Sequence, residues 1–509
     1  MHSDTHSGAI KRAPWCAALM GFGLFVFHLL VNRQYGFHGD ELYFIVCGQR
    51  PAWGYVDHPP LVPMAAWLAT ELMGVNLFAL RFFPALVLGA SCFLTGWLAR
   101  RLGAGRYGEF LASLTFVCTP ILLRLGAILN IPCFEVFFWL VAAHLLVSTC
   151  KYEQPRWWLA IGALCGVALL AKHTTLFLGT GLAVGLVLTQ RRKDLLTPWP
   201  WAGALLAFAI FLPNLLWQYH HDWATLEFVR NLNASEMQQT GRVEFIAAQF
   251  ILMNLFGAFV WVSGLFYFLK SVSGRPYRML GWVFVTVFVI LLAFKAKVYY
   301  LVPAYPMLMA GGAVLLERSL TRPRLRWMRV ALPVAIVAMS LVLVPLMTPL
   351  GSLEWKERYI SSVLGFMAGD PSDLTFDFRY QMSRQEQLEV LRQVYDDLSE
   401  KDRQGCVILT DEYDTASMVN VLGRDPGLPQ AISGNNSYFL WGPRGATGEC
   451  VIVFGYDEDL MRSCFRDVSV AALAPCPWYK KFEKGRPVYL CRDPLAPFEE
   501  LWPRFKRYR

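Results

Sequence analysis

Long apolar segments alternate with short polar turns over the first two thirds of the chain. A helix needs about 20 apolar residues to cross the hydrocarbon core of a bilayer, and about eleven segments approach that length. They are residues 13–32, 80–99, 107–125, 131–150, 157–171, 173–190, 199–217, 245–269, 277–294, 299–317 and 328–348. The pattern therefore predicts a polytopic α-helical membrane protein with about eleven transmembrane helices.

The basic residues between these segments fall in alternate turns. They form clusters at 11–12, 100–106, 151–156, 191–193, 270–278 and 318–329. Loops rich in Lys and Arg face the cytoplasm, so the loops 33–79 and 218–244 and everything after residue 350 are expected outside it. The first apolar segment lacks a small-residue cleavage site, which indicates a retained span.

Composition agrees with this class. Of 509 residues, 55% are hydrophobic and only 17% are charged, whereas soluble domains average about 25% charged residues. The net charge of +9 comes mostly from the clustered turns and does not indicate nucleic-acid binding. The twelve cysteines lack metal-site spacing. One or two disulfides are expected among the five C-terminal cysteines if that region is outside the cytoplasm: Cys406, Cys450, Cys464, Cys476 and Cys491.

The pattern predicts two domains, a transmembrane domain over residues 1–349 and an extracytoplasmic domain over 350–509. Within the first outer loop, 33–79, two apolar stretches predict surface helices at 40–49 and 62–73. In the C-terminal domain, short apolar runs predict buried strands at 406–410, 450–454 and 487–491, and helical patterns cover 385–399 and 414–422. Alternating strands and helices indicate a small α/β domain.

Two acidic motifs follow the first apolar segment. Asp40 and Glu41 stand side by side, and Asp57-His58 precedes the double proline at 59–60. Ionisable groups at a membrane face are costly and are therefore functional candidates. A carboxylate there can take the proton of an attacking hydroxyl. The alternative for Asp40 and Glu41 is structural, an acidic first turn that caps a helix.

These motifs resemble the bacterial branch of the GT-C glycosyltransferases, the protein mannosyltransferase-like family that includes the lipid A aminoarabinose transferases and rhizobial core-sugar transferases. The resemblance rests on Asp40-Glu41 and on the sequence GYVDHPPL at 54–61. Supporting stretches are LLAKHT at 169–174, KAKVYYLVPAYP at 295–306 and ISGNNSYFLWGP at 432–443. It covers about residues 13–350 and, more loosely, the C-terminal region.

The resemblance implies a GT-C fold and an inverting transfer of a sugar from a polyprenyl-phosphate carrier to an acceptor outside the cytoplasm. The acceptor would be lipid A, another glycan or a protein. The implied location is a bacterial inner membrane, with the active site and the C-terminal domain on the periplasmic side. Catalytic roles would fall to Asp40, as base or as a group that orients the acceptor, and to Glu41 and Asp57. The substrate groove would include Tyr43, Tyr55, His58, Tyr299 and Tyr300.

Four cations at the predicted outer ends of spans are candidates for holding the donor phosphate, whose charge grows as it leaves. They are Arg124, Lys172, Lys295 and Lys297. Each has a structural alternative, snorkelling from a span end to the interface. Cations on this side run against the positive-inside bias, which favours function for Lys172, Lys295 and Lys297.

The sequence predicts a metal-independent enzyme without a cofactor. Many relatives place an acid just before the proline that opens the fourth span, where this chain has Asn130 before Ile131 and Pro132. Glu135 either replaces that acid or hydrogen-bonds inside the bundle. A divalent metal prefers several carboxylate oxygens, so the missing acid weighs against one. Four histidines lack the spacing of zinc ligands: His58, His173, His220 and His221.

Two further segments have both a structural and a functional interpretation. Residues 220–223 either form an interfacial turn with an aromatic anchor or border a substrate groove, and the structural interpretation is favoured. Asn435-Asn436 and Trp441-Gly442-Pro443 are either turn residues or part of an acceptor surface; the turn is favoured.

Two alternatives to the enzyme are a transporter or flippase of lipid-linked sugars and a scaffold for surface-polysaccharide assembly. Transporters are typically built from repeated halves with broken helices at mid-membrane, whereas here the charges gather at one face without a repeat. A scaffold is disfavoured because Asp40 is present. The sequence leaves the sugar and the acceptor open.

Overall fold

The computed structural model describes residues 13–234, 240–363, 365, 371–424, 427–476 and 485–509. They divide into a helical unit and an α/β unit. The helical unit comprises Met1–Asn32, Leu80–Leu216 and Ser235–Thr348. The α/β unit comprises Arg33–Ala79, Trp217–Ala234 and Pro349–Arg509. The first outer loop thus folds with the C-terminal region, although it is separated from that region by most of the chain.

Every apolar segment predicted from the sequence contains helix. The helices are Trp15–Val31, Leu77–Arg101, Arg106–Val117, Pro120–Leu125, Ile131–Tyr152, Trp157–Leu169, Thr175–Leu188, Trp199–His220, Arg242–Leu252, Ala258–Leu269, Arg278–Ala293, Tyr305–Ser319 and Met328–Met347. Short 3₁₀ helices cover Gln190–Leu196, Arg275–Tyr277, Val298–Ala304 and Pro323–Leu325.

Within the described residues, six helices are long and apolar enough to cross a membrane, counting adjoining 3₁₀ turns. They are Leu77–Arg101, Ile131–Tyr152, Trp199–His220, Arg275–Ala293, Val298–Ser319 and Pro323–Met347. The other five predicted segments are shorter helices or are broken into two. The fold is that of a multi-pass membrane protein, and the count of eleven spans stays a prediction.

Asn254 lies in the break between the helices Arg242–Leu252 and Ala258–Leu269. Its side chain also hydrogen-bonds at the break that follows the helix Arg106–Val117. Its backbone has a φ of 67°, which ends the helix Arg242–Leu252. Its side-chain amide donates to the carbonyl of Cys118, just after the helix Arg106–Val117, and to that of Ile336, both at 3.0 Å. Its side-chain oxygen accepts the backbone N–H groups of Phe256 and Gly257. Since lipid offers no hydrogen bonds, backbone groups freed by a break must be satisfied internally.

The α/β unit is built on a five-stranded mixed sheet. The strands are β1 Cys406–Thr410, β2 Ala431–Ser433, β3 Cys450–Phe454, β4 Phe465–Ala474 and β5 Arg486–Pro494, in the order β2-β1-β3-β5-β4. β1 is parallel to β2 and β3, and β5 is antiparallel to β3 and β4. Its helices are Gly39–Gly48, Leu61–Met73, Ala224–Ala234, Leu353–Val363, Pro371–Asp396, Glu400–Gly405, Tyr413–Leu422, Ser437–Leu440, Glu458–Arg462 and Phe498–Leu501.

The three predicted strands are confirmed, and both stretches predicted as surface helices are helical. The helix Gly39–Gly48 is buried at nearly all its positions, and the placement of the two helices along a membrane surface stays a prediction. Strands β2 and β4 escaped prediction for different reasons. β2 has only three residues, too few to show alternation. β4 is exposed at most of its positions and therefore lacks the apolar run that marked β1 and β3.

The apolar core shows why the first loop joins this unit. Leu42, Tyr43 and Val46 of the helix Gly39–Gly48 are buried in one cluster with Ile408 of β1 and Met418 of the helix Tyr413–Leu422. Burial of such side chains contributes about 1.5–3 kcal/mol each. The loop helix is therefore held by the core of the sheet domain, and its N-terminus is fixed beside Tyr413.

The disulfides expected in the C-terminal region are not formed. All twelve cysteines, each of them within the described residues, are free thiols. Cys450, Cys464, Cys476 and Cys491 are buried, so they contribute to the core as small apolar side chains.

We expect Asn254→Leu to lower the stability of the helical unit, because two carbonyls lose their donor and the break loses its cap. Each unsatisfied buried group costs about 1–3 kcal/mol. The thermal midpoint of the detergent-solubilised protein measures the loss. Leu255→Ala, at an exposed neighbour in the same break, is the matched control and should change it little. Equal midpoints for the two variants would contradict the assigned role.

Candidate active site

The helix Gly39–Gly48 separates the roles of the two adjacent carboxylates. The His38 backbone N–H donates to Glu41 Oε2 at 2.9 Å, and the Asp40 N–H donates to His38 Nδ1 at 3.1 Å. These two bonds form a capping box. Glu41 is fully buried, whereas the side chain of Asp40 is 44% exposed. The capping interpretation therefore describes Glu41, and Asp40 keeps its carboxylate available.

A tyrosine of the C-terminal region contacts Asp40. The Tyr413 hydroxyl donates to Asp40 Oδ1 at 2.8 Å. Burial and the neighbouring charges of Asp40 and Asp57 raise the pKa of Tyr413 well above its usual value. The hydroxyl therefore stays protonated near neutral pH and remains a donor. This bond orients the Asp40 carboxylate and leaves its second oxygen for another partner.

A second tyrosine holds Asp57 in the same way. The Tyr43 hydroxyl donates to Asp57 Oδ1 at 3.0 Å and accepts the Ser437 N–H at 3.2 Å. The rings of Tyr43 and Tyr413 lie 4.4 Å apart. Asp57 is mostly buried, and this burial raises its pKa. The predicted carboxylates Asp40 and Asp57 are thus linked through two packed tyrosines.

Behind Asp40 lies a buried ion pair. Arg384 Nη2 contacts Asp414 Oδ2 at 2.5 Å, and the Arg384 guanidinium lies 4.1 Å from the centre of the Tyr380 ring. Gly39 makes room for the pair, because a Cβ there would stand 2.7 Å from Asp414 Cβ and 2.8 Å from Arg384 Nη2. The glycine before Asp40 is therefore explained by this close approach.

Asp40, Tyr413 and Asp414 line a cavity of about 260 Å³ within the α/β unit. Its lining combines carboxylates, hydroxyls and one arginine, among them Asp40, Glu412, Tyr413, Asp414, Thr415 and Arg486. A cavity of this size holds a monosaccharide-sized group, and its polar lining suits hydroxyls. The predicted base therefore faces a space that a hydroxyl-rich molecule can enter.

The predicted groove residues Tyr55 and His58 are held inside this unit. The Tyr55 hydroxyl donates to the carbonyls of Cys47 and Arg50. His58 is buried and its Nδ1 lies 3.1 Å from the carbonyl of Pro59. Both contacts shape the backbone around Asp57. Their predicted contact with substrate stays a prediction.

In the helical unit, Lys172 sits in a compact cluster. Its Nζ contacts Glu135 Oε2 at 3.1 Å, and it lies over the rings of Tyr300 at 4.5 Å and Tyr299 at 5.5 Å. The Thr174 hydroxyl donates to the other oxygen of Glu135. The predicted Lys172, Tyr299 and Tyr300 are thus brought together, and Glu135 is hydrogen-bonded inside the bundle.

The other three predicted cations lie on or near the 3₁₀ helix Val298–Ala304. Arg124 lies on the helix Pro120–Leu125, which packs on the 3₁₀ helix Val298–Ala304. Lys297 occupies the N-cap position of that 3₁₀ helix. Lys295 is exposed, with a φ of 51°. These three lie on or beside the segment that carries Tyr299 and Tyr300, and their role in holding the donor phosphate stays a prediction.

Asn130 has a structural explanation. Its side-chain oxygen accepts the Cys133 N–H at 3.0 Å at the start of the helix Ile131–Tyr152. Its amide donates to the carbonyls of Leu125 and Ile128. Asparagine is among the preferred capping residues. Over the described residues, no group of three or more His, Cys, Asp or Glu side chains is placed to hold a metal ion.

Sequence reasoning missed Tyr413, Arg384 and Asp414. They lie more than 340 residues after Asp40, and nothing in the helical patterns around them separates them from solvent-facing polar residues. The one available signal was Glu412-Tyr-Asp414 directly after the predicted strand 406–410, because strand ends collect functional side chains.

Comparisons with known proteins agree with the resemblance. The family model described as Dolichyl-phosphate-mannose-protein mannosyltransferase matches residues 57–217. Lipid A galacturonosyltransferase RgtD of Rhizobium johnstonii is 26% identical over 286 residues, which is 55% of this chain and 59% of the relative. An uncharacterized protein of Aquifex aeolicus is 27% identical over 49% of this chain and 51% of its own length. The chain thus aligns with little more than half the length of these curated relatives.

Among solved structures, ArnT from Cupriavidus metallidurans bound to undecaprenyl phosphate matches with a TM-score of 0.59 and 13% identity. The match covers 93% of this chain and 97% of that one, and the apo form of the same protein gives the same values. At this identity the likeness shows the fold. The resemblance predicted from the motifs at 40–41 and 54–61 is confirmed.

Proposed function

We propose that this chain, a GT-C-fold protein similar to the protein mannosyltransferase family, is an inverting glycosyltransferase. It would take a sugar from a polyprenyl-phosphate-linked donor and pass it to an acceptor outside the cytoplasm. The observation that carries the proposal is Asp40, exposed at a polar cavity and oriented by Tyr413. A carboxylate kept out of the helix cap and held by a buried donor is suited to act on an incoming hydroxyl.

The proposed step is one displacement. An acceptor oxygen attacks the anomeric carbon and passes its proton to Asp40, a bond forms between oxygen and carbon, and the carbon–oxygen bond to the carrier phosphate breaks. The electron pair leaves on the phosphate, which becomes free polyprenyl phosphate. Attack from the face opposite the leaving group inverts the anomeric centre.

Lys172 is the proposed partner of the leaving phosphate. Its ammonium has three donors, and Glu135 uses one of them, so donors remain for an anion. The rings of Tyr299 and Tyr300 add a face on which the cation is held. Arg124, Lys295 and Lys297 would add positive charge around the same carrier headgroup.

The printed names of the relatives support the choice of substrates. A lipid A transferase among them favours a lipid A or lipopolysaccharide acceptor, with other glycans or a protein as further options. A fold neighbour bound to undecaprenyl phosphate favours a polyprenyl phosphate carrier. We place the reaction on the periplasmic side of a bacterial inner membrane, in agreement with the charge pattern of the turns.

For Asp40→Asn we expect turnover to fall by a factor of about 10² to 10⁴, the usual range for loss of a general base. The measurement is release of polyprenyl phosphate from synthetic polyprenyl-phosphate sugars by purified protein in nanodiscs. Tyr413→Phe should reduce the rate less, because it removes only the hydrogen bond that orients the Asp40 carboxylate.

Controls separate this role from folding. Asp467→Asn, at an exposed carboxylate on β4, should leave turnover unchanged. In the Asp40→Asn background, Tyr413→Phe should have no further effect, since it acts through Asp40. Full turnover in Asp40→Asn would refute the base and point to an acceptor that is already an anion, such as a phosphate. Movement of labelled lipid across the bilayer without sugar release would instead identify a flippase.

For Lys172→Met we expect a higher KM for the donor and a lower kcat. This variant leaves Glu135 buried without its ion-pair partner, which is destabilising, so the double variant Lys172→Met with Glu135→Gln restores a neutral site. The double variant should fold like wild type and remain impaired. Lys193→Ala, at an exposed lysine of the same unit, is the matched control. Normal kinetics in the folded double variant would remove Lys172 from the site.

We propose that no metal takes part. Turnover in EDTA should therefore equal turnover with added Mg²⁺ or Mn²⁺, measured on protein purified in EDTA. A loss of activity in EDTA that one of these ions restores would contradict the proposal.

A further inference from the structure

Two arginines of the α/β unit meet at one indole ring. The guanidinium of Arg50 lies 4.7 Å from the centre of the Trp441 ring, and that of Arg444 lies 5.6 Å from it. Arg444 is also 5.7 Å from the ring of Tyr438. Both arginines are partly buried. Two positive charges are thus concentrated at one aromatic side chain, on segments far apart in sequence.

The positive charge is not neutralised within the described part of the chain. There, neither guanidinium has a carboxylate within ion-pair distance, and all three side-chain nitrogens of Arg444 are buried without a hydrogen-bond partner. Burial and the neighbouring charge of Arg50 lower the pKa of Arg444 to about 10, so it stays charged near neutral pH. A buried cation without an ionic partner is costly, and an anion bound nearby would lower that cost.

A cavity of about 330 Å³ adjoins this ring. Its lining includes Arg50, Tyr55, Trp217, His221, Ser437 and Trp441, whereas Arg444 contacts the Trp441 ring without being part of the lining. The lining is mainly aromatic and apolar, with a few polar groups that can orient a ligand, as is usual for small-molecule sites. It is separate from the cavity at Asp40, because the two share no lining residue.

We propose that the cavity lined by Arg50 and Trp441 binds a phosphomonoester carried on a saccharide, with Arg444 on the same ring adding positive charge beside it. A phosphomonoester bears a charge of about −1.5 to −2 at pH 7, which matches two guanidiniums better than a single carboxylate does. Arginine binds phosphate through paired N–H donors. The aromatic walls provide flat apolar surfaces for the sugar ring.

This inference rests on the proposed function for its biological meaning, since the site would hold the phosphorylated part of an acceptor glycan or the phosphate of the carrier. The acceptor interpretation of Trp441-Gly442-Pro443, disfavoured from sequence, is thereby preferred. The reason is tertiary: Arg50 comes from the first outer loop and Arg444 from the C-terminal region.

The test is calorimetric titration of the full-length protein in nanodiscs without anionic lipid. N-acetylglucosamine 1-phosphate is the probe, and N-acetylglucosamine is its uncharged counterpart. We expect binding of the phosphosugar that weakens with salt, and at least tenfold weaker binding of the uncharged sugar. Arg50→Gln and Arg444→Gln should each weaken phosphosugar binding about tenfold or more. Arg462→Gln, at an exposed arginine of this unit, is the matched control.

Stability measurements distinguish a loss of binding from a loss of folding. Because Arg444 is unpaired, Arg444→Met should leave the thermal midpoint of the ligand-free protein unchanged or higher, while the increase caused by the phosphosugar is lost. A lower midpoint without ligand, together with an unchanged increase on adding it, would show a structural role and overturn the proposal. Equal affinity for charged and uncharged sugars, or wild-type affinity in both arginine variants, would overturn it as well.

Two further arms identify the source of the phosphate. Competition of the phosphosugar by short-chain polyprenyl phosphate, lost in Arg50→Gln, assigns the site to the carrier; phosphosugar binding without that competition assigns it to the acceptor. Sugar transfer is measured separately. Arginine-dependent binding in a protein that transfers no sugar would support this site and refute the proposed function. Sugar transfer in a protein that does not bind the phosphosugar would support the proposed function and refute this site.

Discussion

The arrangement at Asp40 depends on the capping box of the loop helix. Four backbone N–H groups at a helix N-terminus need partners, and here His38 and Glu41 supply the capping interactions. Asp40 is adjacent to Glu41, but only its backbone N–H takes part in the cap, and its side chain does not. Its carboxylate can therefore turn to Tyr413 and to the cavity. The local hydrogen-bond pattern therefore decides that the Glu41 carboxylate caps the helix while the Asp40 carboxylate stays available to a substrate.

The position of this helix depends in turn on packing with a distant part of the chain. Its apolar side chains share a core with β1 and with the helix that begins at Tyr413. Gly39 permits the close approach of the Arg384–Asp414 pair. The C-terminal domain is thus the support of the candidate catalytic loop, and a chain with the loop motif alone would lack the donor to Asp40.

Unbalanced or buried charge marks both units. In the helical unit, the buried carboxylate of Glu135 forms an ion pair with Lys172 and accepts a hydrogen bond from the Thr174 hydroxyl. At Trp441, two guanidiniums lack such a partner among the described residues. An ion pair such as Glu135–Lys172 stabilises the fold, whereas two guanidiniums without a carboxylate partner attract an anion. The difference can be read only from the assembled side chains.

The sequence by itself determined the membrane class, the helical segments, three strands of the sheet and the motifs that resemble the glycosyltransferase family. These features are local, because apolar length and periodicity depend on neighbours along the chain. Tertiary structure decided that Tyr413 donates to Asp40, that Glu135 pairs with Lys172, and that the buried C-terminal cysteines pack singly in the core. Each of these depends on contacts between residues far apart in sequence, and one sequence carries no direct record of such contacts.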